Sequence, residues 1–251
     1  MTAHKNEISP AIILVNPQMG ENIGAAARAM LNFGLTDLRL VNPRDGWPSA
    51  SATANAAGAL EKMPPVPVYT KTATALEECH YIYATTARRR DMIKPVFTPS
   101  TATEDMHERR AAGQNIAVLF GAERSGLDND DIALSHAIIT VPVNPDFSSL
   151  NLGQSVLLLA YEWHRQKEQA PVPQAIREES EKNTPVSHAH LLELFERLET
   201  ELEAHHFFRT GGHKPIMIRN LRNLLTRAEM TDQEARTFHG IISALTGKKT
   251  L

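Results

Sequence analysis

Apolar residues in this chain fall into short unbroken runs that alternate with stretches of helical spacing. Residues 11–16, AIILVN, predict a buried strand, and Ile23, Ala26, Ala27, Met30 and Leu31 then recur on one helical face that closes near Gly34. Further strands are predicted at 38–43, 66–69, 81–86, 115–121 and 137–143. Helices are predicted at 52–62, 73–80, 104–113, 130–135 and 151–166. Strands with little two-residue alternation, with helices between them, predict an α/β fold with a mostly parallel sheet. The pattern changes after Arg165. Residues 166–189 are charged and interrupted by prolines, as in a linker. Leu191, Leu194, Phe195, Leu198 and Leu202 then begin a helical region, with further helices at about 216–228 and 231–245. The expected organisation is a domain over 1–165, a linker over 166–189 and a helical extension over 190–251.

Composition narrows the class. The 251 residues are 42% hydrophobic and 22% charged, which suits a globular chain able to bury a core. Net charge is −3, so a polyanionic partner would need a local basic patch. Such a patch is present: residues 207–228 hold Arg209, Lys214, Arg219, Arg222 and Arg227 without an acid, and Arg88, Arg89 and Arg90 form a second cluster. A solvated helix face with counter-ions fits the first of these equally well. A single cysteine, Cys79, excludes an internal disulfide framework and a cysteine-rich zinc site, and fits a reducing cytosol. The histidine pairs His188/His190 and His205/His206 lack metal-site spacing, so no metal is expected. The N-terminus has no apolar signal region and no run is long enough to span a membrane, so a cytoplasmic location is expected. Walker A and GxGxxG sequences are absent, which argues against a nucleotide hydrolase or an NAD enzyme.

Three segments at predicted strand ends carry candidate chemistry, because ligands of open α/β sheets bind there. In NPQMGENIGAAARAM (16–30), backbone N–H groups near Asn22 and Gly24 begin a helix and suit an anion, while Arg28 lies off the apolar stripe. A capped helix with a solvated arginine is the plainer reading of that segment alone. In LFGAERSGL (119–127), an apolar strand meets Gly121, then Glu123 and Arg124, which also read as an ordinary surface pair. In VPVNPDFSSLNLGQSV (141–156), Ser148, Ser149 and Asn151 precede a helix whose first turn contains Gly153 and Gln154. Serine and asparagine are ordinary caps, but a glycine there signals close packing.

Taken together, in this order and spacing, the three segments resemble the SPOUT superfamily of RNA methyltransferases, and within its TrmH-like branch the TrmJ group of tRNA 2′-O-methyltransferases. The resemblance covers 11–165 and extends to 207–245. The sequence Gly121-Ala122-Glu123-Arg124 follows the TrmJ pattern rather than the proline and Glu-Gly of many TrmH-like proteins. The resemblance implies a deep trefoil knot built from about 115–165, S-adenosylmethionine (SAM) as cofactor, and a homodimer with the active site near the subunit interface. It places SAM at Thr85, Thr86, Ala87, Gly121, Val141, Ser148, Ser149 and Leu150. It gives catalytic parts to Asn22, Arg28, Glu123, Ser149 and Asn151. Arg28 would bind an RNA phosphate and stabilise the developing alkoxide, since a guanidinium is a poor base. Glu123 would orient its loop. RNA contacts are expected at Arg88, Arg209, Lys214, Arg219 and Arg222, with tRNA as substrate, an anticodon-loop pyrimidine at position 32 as target, and no DNA or membrane partner. The alternatives are a TrmH-like enzyme acting on ribosomal RNA, a non-catalytic RNA-binding module of the same fold, and an α/β protein for another adenine-containing ligand.

Overall fold

The computed structural model describes residues 9–86, 93–169, 184–208 and 213–247. Seven strands form one sheet in the order β3-β2-β1-β6-β4-β7-β5, and each strand pairing is parallel. They are β1 (Ala11–Val15), β2 (Leu38–Val41), β3 (Val68–Tyr69), β4 (Tyr81–Thr85), β5 (Val96–Phe97), β6 (Ile116–Phe120) and β7 (Ala137–Ile139). Every residue of β1 and β6 is buried, which explains their unbroken apolar runs.

Alternate residues of these strands serve two cores. Ile12, Leu14, Val118 and Phe120 face one side, together with α1 (Gly20–Asn32), α2 (Ala50–Ala56), α5 (Pro99–Ala111) and α7 (Leu152–Gln169). Ile13, Val15, Ala117 and Leu119 face the other, against Ala75 of α4 (Thr72–Ala75) and Ile132 of α6 (Asn129–Ala133). A third core joins α8 (His188–Ala204), α9 (Lys214–Arg227) and α10 (Asp232–Thr246) through Leu191, Leu194, Phe195, Leu225 and Ile242. This helical unit docks on the sheet domain. The His188 and Ala189 amides donate to the Cys79 and Glu77 carbonyls at 2.9 and 3.3 Å, and Arg109 pairs with Glu229 at 3.0 Å.

Several element boundaries differ from the sequence reading. The helix expected over 52–62 is two, α2 and α3 (Ala59–Lys62), because Ala57 and Gly58 take left-handed backbone. Helix α5 starts at Pro99, before the predicted 104, set by a capping box in which Thr98 and Thr101 each accept from the other's amide. The strand expected over 137–143 ends at Ile139: Thr140 makes its last bond to Phe97, and Pro142 has no N–H to continue the ladder. Strand β5 was not predicted. The linker expected over 166–189 is narrower among the described residues, since α7 reaches Gln169 and α8 begins at His188.

Candidate functional site

Chain order runs outward from β1 to β2 and β3, then crosses to β4 and returns to place β6 between β4 and β1. The reversal leaves a crevice at the carboxyl ends of the central strands. A cavity of about 300 Å³ lies there, at the ends of β4, β6 and β7. Thr85, Thr86, Gly121, Val141, Ser148, Ser149 and Leu150, all expected at the cofactor, line it. Ala87 lies outside the described residues.

The walls have distinct characters. Phe120, Ile139, Val141, Leu150 and Leu152 supply apolar surface, while Thr85, Thr86, Ser148 and Ser149 supply hydroxyls and peptide edges. The strand ends are tied together: the Thr85 hydroxyl donates to the Leu119 carbonyl at 2.9 Å and the Thr140 hydroxyl to the Thr86 carbonyl at 3.0 Å. Gly121 is required sterically. A Cβ there would lie 2.1 Å from the Leu127 nitrogen, because the 121–127 loop folds back on itself. The sequence reading passed over Pro99, Ser125 and Gly126 as cavity residues. Only the glycine carried a signal.

Beside the cavity, three sequence segments meet at Glu123. Helix α1 has no side-chain cap of its own at Met19. The Glu123 carboxylate takes that place, accepting from the Gln18 amide at 2.8 Å, the Met19 amide at 3.3 Å and Asn22 Nδ2 at 2.7 Å. The amides it meets, of Gln18 and Met19, lie before those near Asn22 and Gly24 that the sequence suggested for an anion, and the helix dipole favours a carboxylate there. Asn22 passes the connection on by accepting from Asn151 Nδ2 at 2.8 Å, and Asn151 Oδ1 accepts from the Gln154 amide at 3.3 Å at the start of α7. Gly153 permits the approach: a Cβ on it would sit 2.8 Å from that of Ala25. Asn22, Glu123 and Asn151 thus form one network, with Ser149 in the adjoining cavity wall. Arg28 is exposed on α1, two turns from this network, and has no hydrogen bond or ion pair among the described residues.

Residues 9–161 match the SpoU rRNA Methylase family. The chain belongs to that family. Within it, the tRNA (cytidine/uridine-2′-O-)-methyltransferase TrmJ of Yersinia pestis is 34% identical over 93% of this chain and 90% of that protein. The TrmJ of Pectobacterium atrosepticum is 35% identical over 93% and 95%. A crystal structure of TrmJ from Z. mobilis superposes with a TM-score of 0.83 at 45% identity, covering 95% of this chain and 99% of that one. The SpoU-family match ends within α7, while the TrmJ likenesses cover 93–95% of the chain.

The basic stripe of this SpoU-family chain is not bare. Lys214 pairs with Glu203 at 2.6 Å, Arg219 with Asp130 at 3.2 Å, and Arg222 with Glu199 through two bonds of 2.6 and 2.9 Å. The carboxylates come from α6 and α8, so the absence of acids within 207–228 did not reveal them. Arg222 gives Nε and Nη2 to Glu199 and so ties α9 to α8. Arg88 and Arg209 lie outside the described residues. Among the described residues, no group of three or more metal-binding side chains forms and no helix is long and apolar enough to cross a membrane.

Proposed function

We propose that this protein transfers a methyl group from SAM to a ribose 2′-hydroxyl of tRNA, at the anticodon-loop pyrimidine in position 32. The observation that carries the reading is the junction at Glu123, which joins the helix bearing Arg28 to the loop bordering the cavity. The cavity suits SAM: apolar side chains can enclose an adenine, hydroxyls and peptide edges can meet a ribose and an amino-acid end, and Gly121 keeps its backbone accessible. Bound there, SAM supplies an already activated methyl group.

The chain's own residues then align and polarise the acceptor. Thr85, Thr86, Ser148, Ser149 and Leu150 hold the cofactor through their backbones and hydroxyls. Ser149 and Asn151 position the ribose from the loop before α7. Glu123 and Asn22 fix the angle at which α1 leaves the sheet, and so the position of Arg28. With its charge uncommitted in the monomer, Arg28 is available to a phosphate and to the negative charge that develops on the 2′-oxygen. Holding the reacting oxygen in line contributes several kcal/mol on its own.

The active form is a homodimer. Leu157, Leu158 and Tyr161 are 40%, 38% and 49% exposed on the outer face of α7, an apolar stripe beside the network that suits burial against a second copy. Residues 115–165 carry the trefoil knot, 190–251 form the tRNA-binding extension with Lys214 and Arg219 on its surface, and the enzyme works in the cytoplasm. Nucleoside mass spectrometry of tRNA from cells lacking the protein tests the activity. Loss of a 2′-O-methylpyrimidine at position 32 is the expected result. A missing base methylation or a change confined to ribosomal RNA overturns it.

A further inference from the structure

The loop after β2 has no part in the cavity or in the Glu123 network, yet the fold ties it to the segment that meets Glu123. Strands β1 and β2 are parallel neighbours in register, Val15 opposite Val41, and each ends in the same Val-Asn-Pro sequence. Asn16 and Asn42, the next residues, both take left-handed backbone, at φ 51° and 44°. Such conformations in non-glycine residues turn the chain sharply and gather at functional edges. The Arg44 amide donates to the Pro17 carbonyl at 3.0 Å, which ties this loop to the segment whose next two amides bind Glu123.

Arg44 therefore stands at the rim of the site on the β2 side. Its side chain is 59% exposed and pairs with the adjacent Asp45, itself 50% exposed, through an Nε–Oδ1 contact of 2.9 Å. Asp45, and Glu123 more weakly, favour its charged form. An exposed pair between sequence neighbours contributes little to stability. It leaves a solvent-exposed guanidinium whose neighbouring carboxylate a phosphate can displace.

We infer that Arg44 is a phosphate contact for the substrate RNA, exchanging Asp45 for a backbone phosphate beside the target nucleotide. A guanidinium suits this, since its planar fork fits two phosphate oxygens. Asp45 then tunes the site by competing for the same fork. The inference rests on the proposed tRNA activity, and its role is to position substrate, not to take part in methyl transfer.

The test compares Arg44→Ala and Asp45→Asn in the full-length protein, by tRNA binding across a salt series and single-turnover methylation at saturating tRNA. Arg44→Ala should weaken tRNA binding about 5- to 10-fold and lower the slope of log affinity against log salt by about one. Its saturated rate should stay within about twofold. Asp45→Asn should bind tRNA more tightly than wild type. Opposite signs separate this from a structural role, since both substitutions break the same ion pair. Unchanged affinity and salt slope in Arg44→Ala, or equal weakening by both variants, overturns the inference. Failure of the wild-type protein to bind or methylate tRNA overturns the underlying activity instead.

Discussion

Asn22 and Asn151 stand 129 positions apart in sequence, and Asn151 Nδ2 donates to Asn22 Oδ1 at 2.8 Å. Each amide has a second partner, Glu123 for Asn22 and the Gln154 amide for Asn151, so neither side chain can turn over without loss. The pair locks the start of α1 to the start of α7. Asn22→Ala and Asn151→Ala should each cost about 0.5–2 kcal/mol, the range for a lost cap or side-chain hydrogen bond. The double variant should cost less than the two together, because the second substitution finds the connection already broken. Chemical denaturation of the four proteins measures the coupling, and strict additivity would show that the bond contributes nothing.

Arg28→Ala addresses chemistry rather than stability. Arg28 is exposed and has no hydrogen bond or ion pair among the described residues, so the melting temperature should not fall and SAM affinity should hold within a few-fold. Under the proposed mechanism the single-turnover rate should fall about 10²–10³-fold, the usual effect of removing one transition-state donor. Arg28→Lys should restore little, since a point charge does not reproduce the fork. A lower melting temperature with lost SAM binding would make the residue structural.

The sheet was legible because a strand buried on both faces must be apolar at every position, as Ile12 to Val15 and Ile116 to Phe120 are. Strand β5 was not, because two residues, Val96 and Phe97, cannot carry a period. Much of the candidate site could be read at the strand ends, where Gly121 and the 148–151 segment broke the ordinary pattern. Glu123 was visible as a residue but not as the cap of α1, because nothing local links a carboxylate to a helix 101 positions earlier. The same holds for α9. Its lack of acids in sequence suggested free positive charge, while Asp130, Glu199 and Glu203 reach it only through folding.

Two glycines should respond to alanine with opposite signs. At Gly24 a new Cβ would lie 2.2 Å from the Ala52 carbonyl oxygen, so α1 and α2 must separate to admit it. Overpacking of this kind costs about 1–3 kcal/mol, and backbone gives way less readily than a side chain. Gly240 lies in the interior of α10 with nothing within 4 Å of its new Cβ. Gly240→Ala should stabilise by about 0.5–1 kcal/mol through helix propensity and a less flexible unfolded chain. Thermal unfolding of both variants decides, and a Gly24→Ala protein as stable as wild type would contradict the close packing of the two helices.

His188 should make the docking of the helical extension sensitive to acid. Its ring is 1% exposed, and among the described residues neither nitrogen has a partner. Burial lowers its pKa from 6.5 to about 4, and the buried His136 ring is pushed down as well. The unfolded chain therefore binds a proton that the folded one refuses as pH falls from 6.5 toward 4. Stability is full above the unfolded value and is lost through that window, by about 3 kcal/mol for His188 alone once pH is below both values. His188→Leu removes this titration while keeping the backbone bond from residue 188 to the Cys79 carbonyl. The expected result is a smaller loss of stability between pH 7.5 and 5 than in wild type. Denaturant midpoints at matched ionic strength measure it. An unchanged pH slope in His188→Leu would show that the ring does not stay neutral and buried through this range.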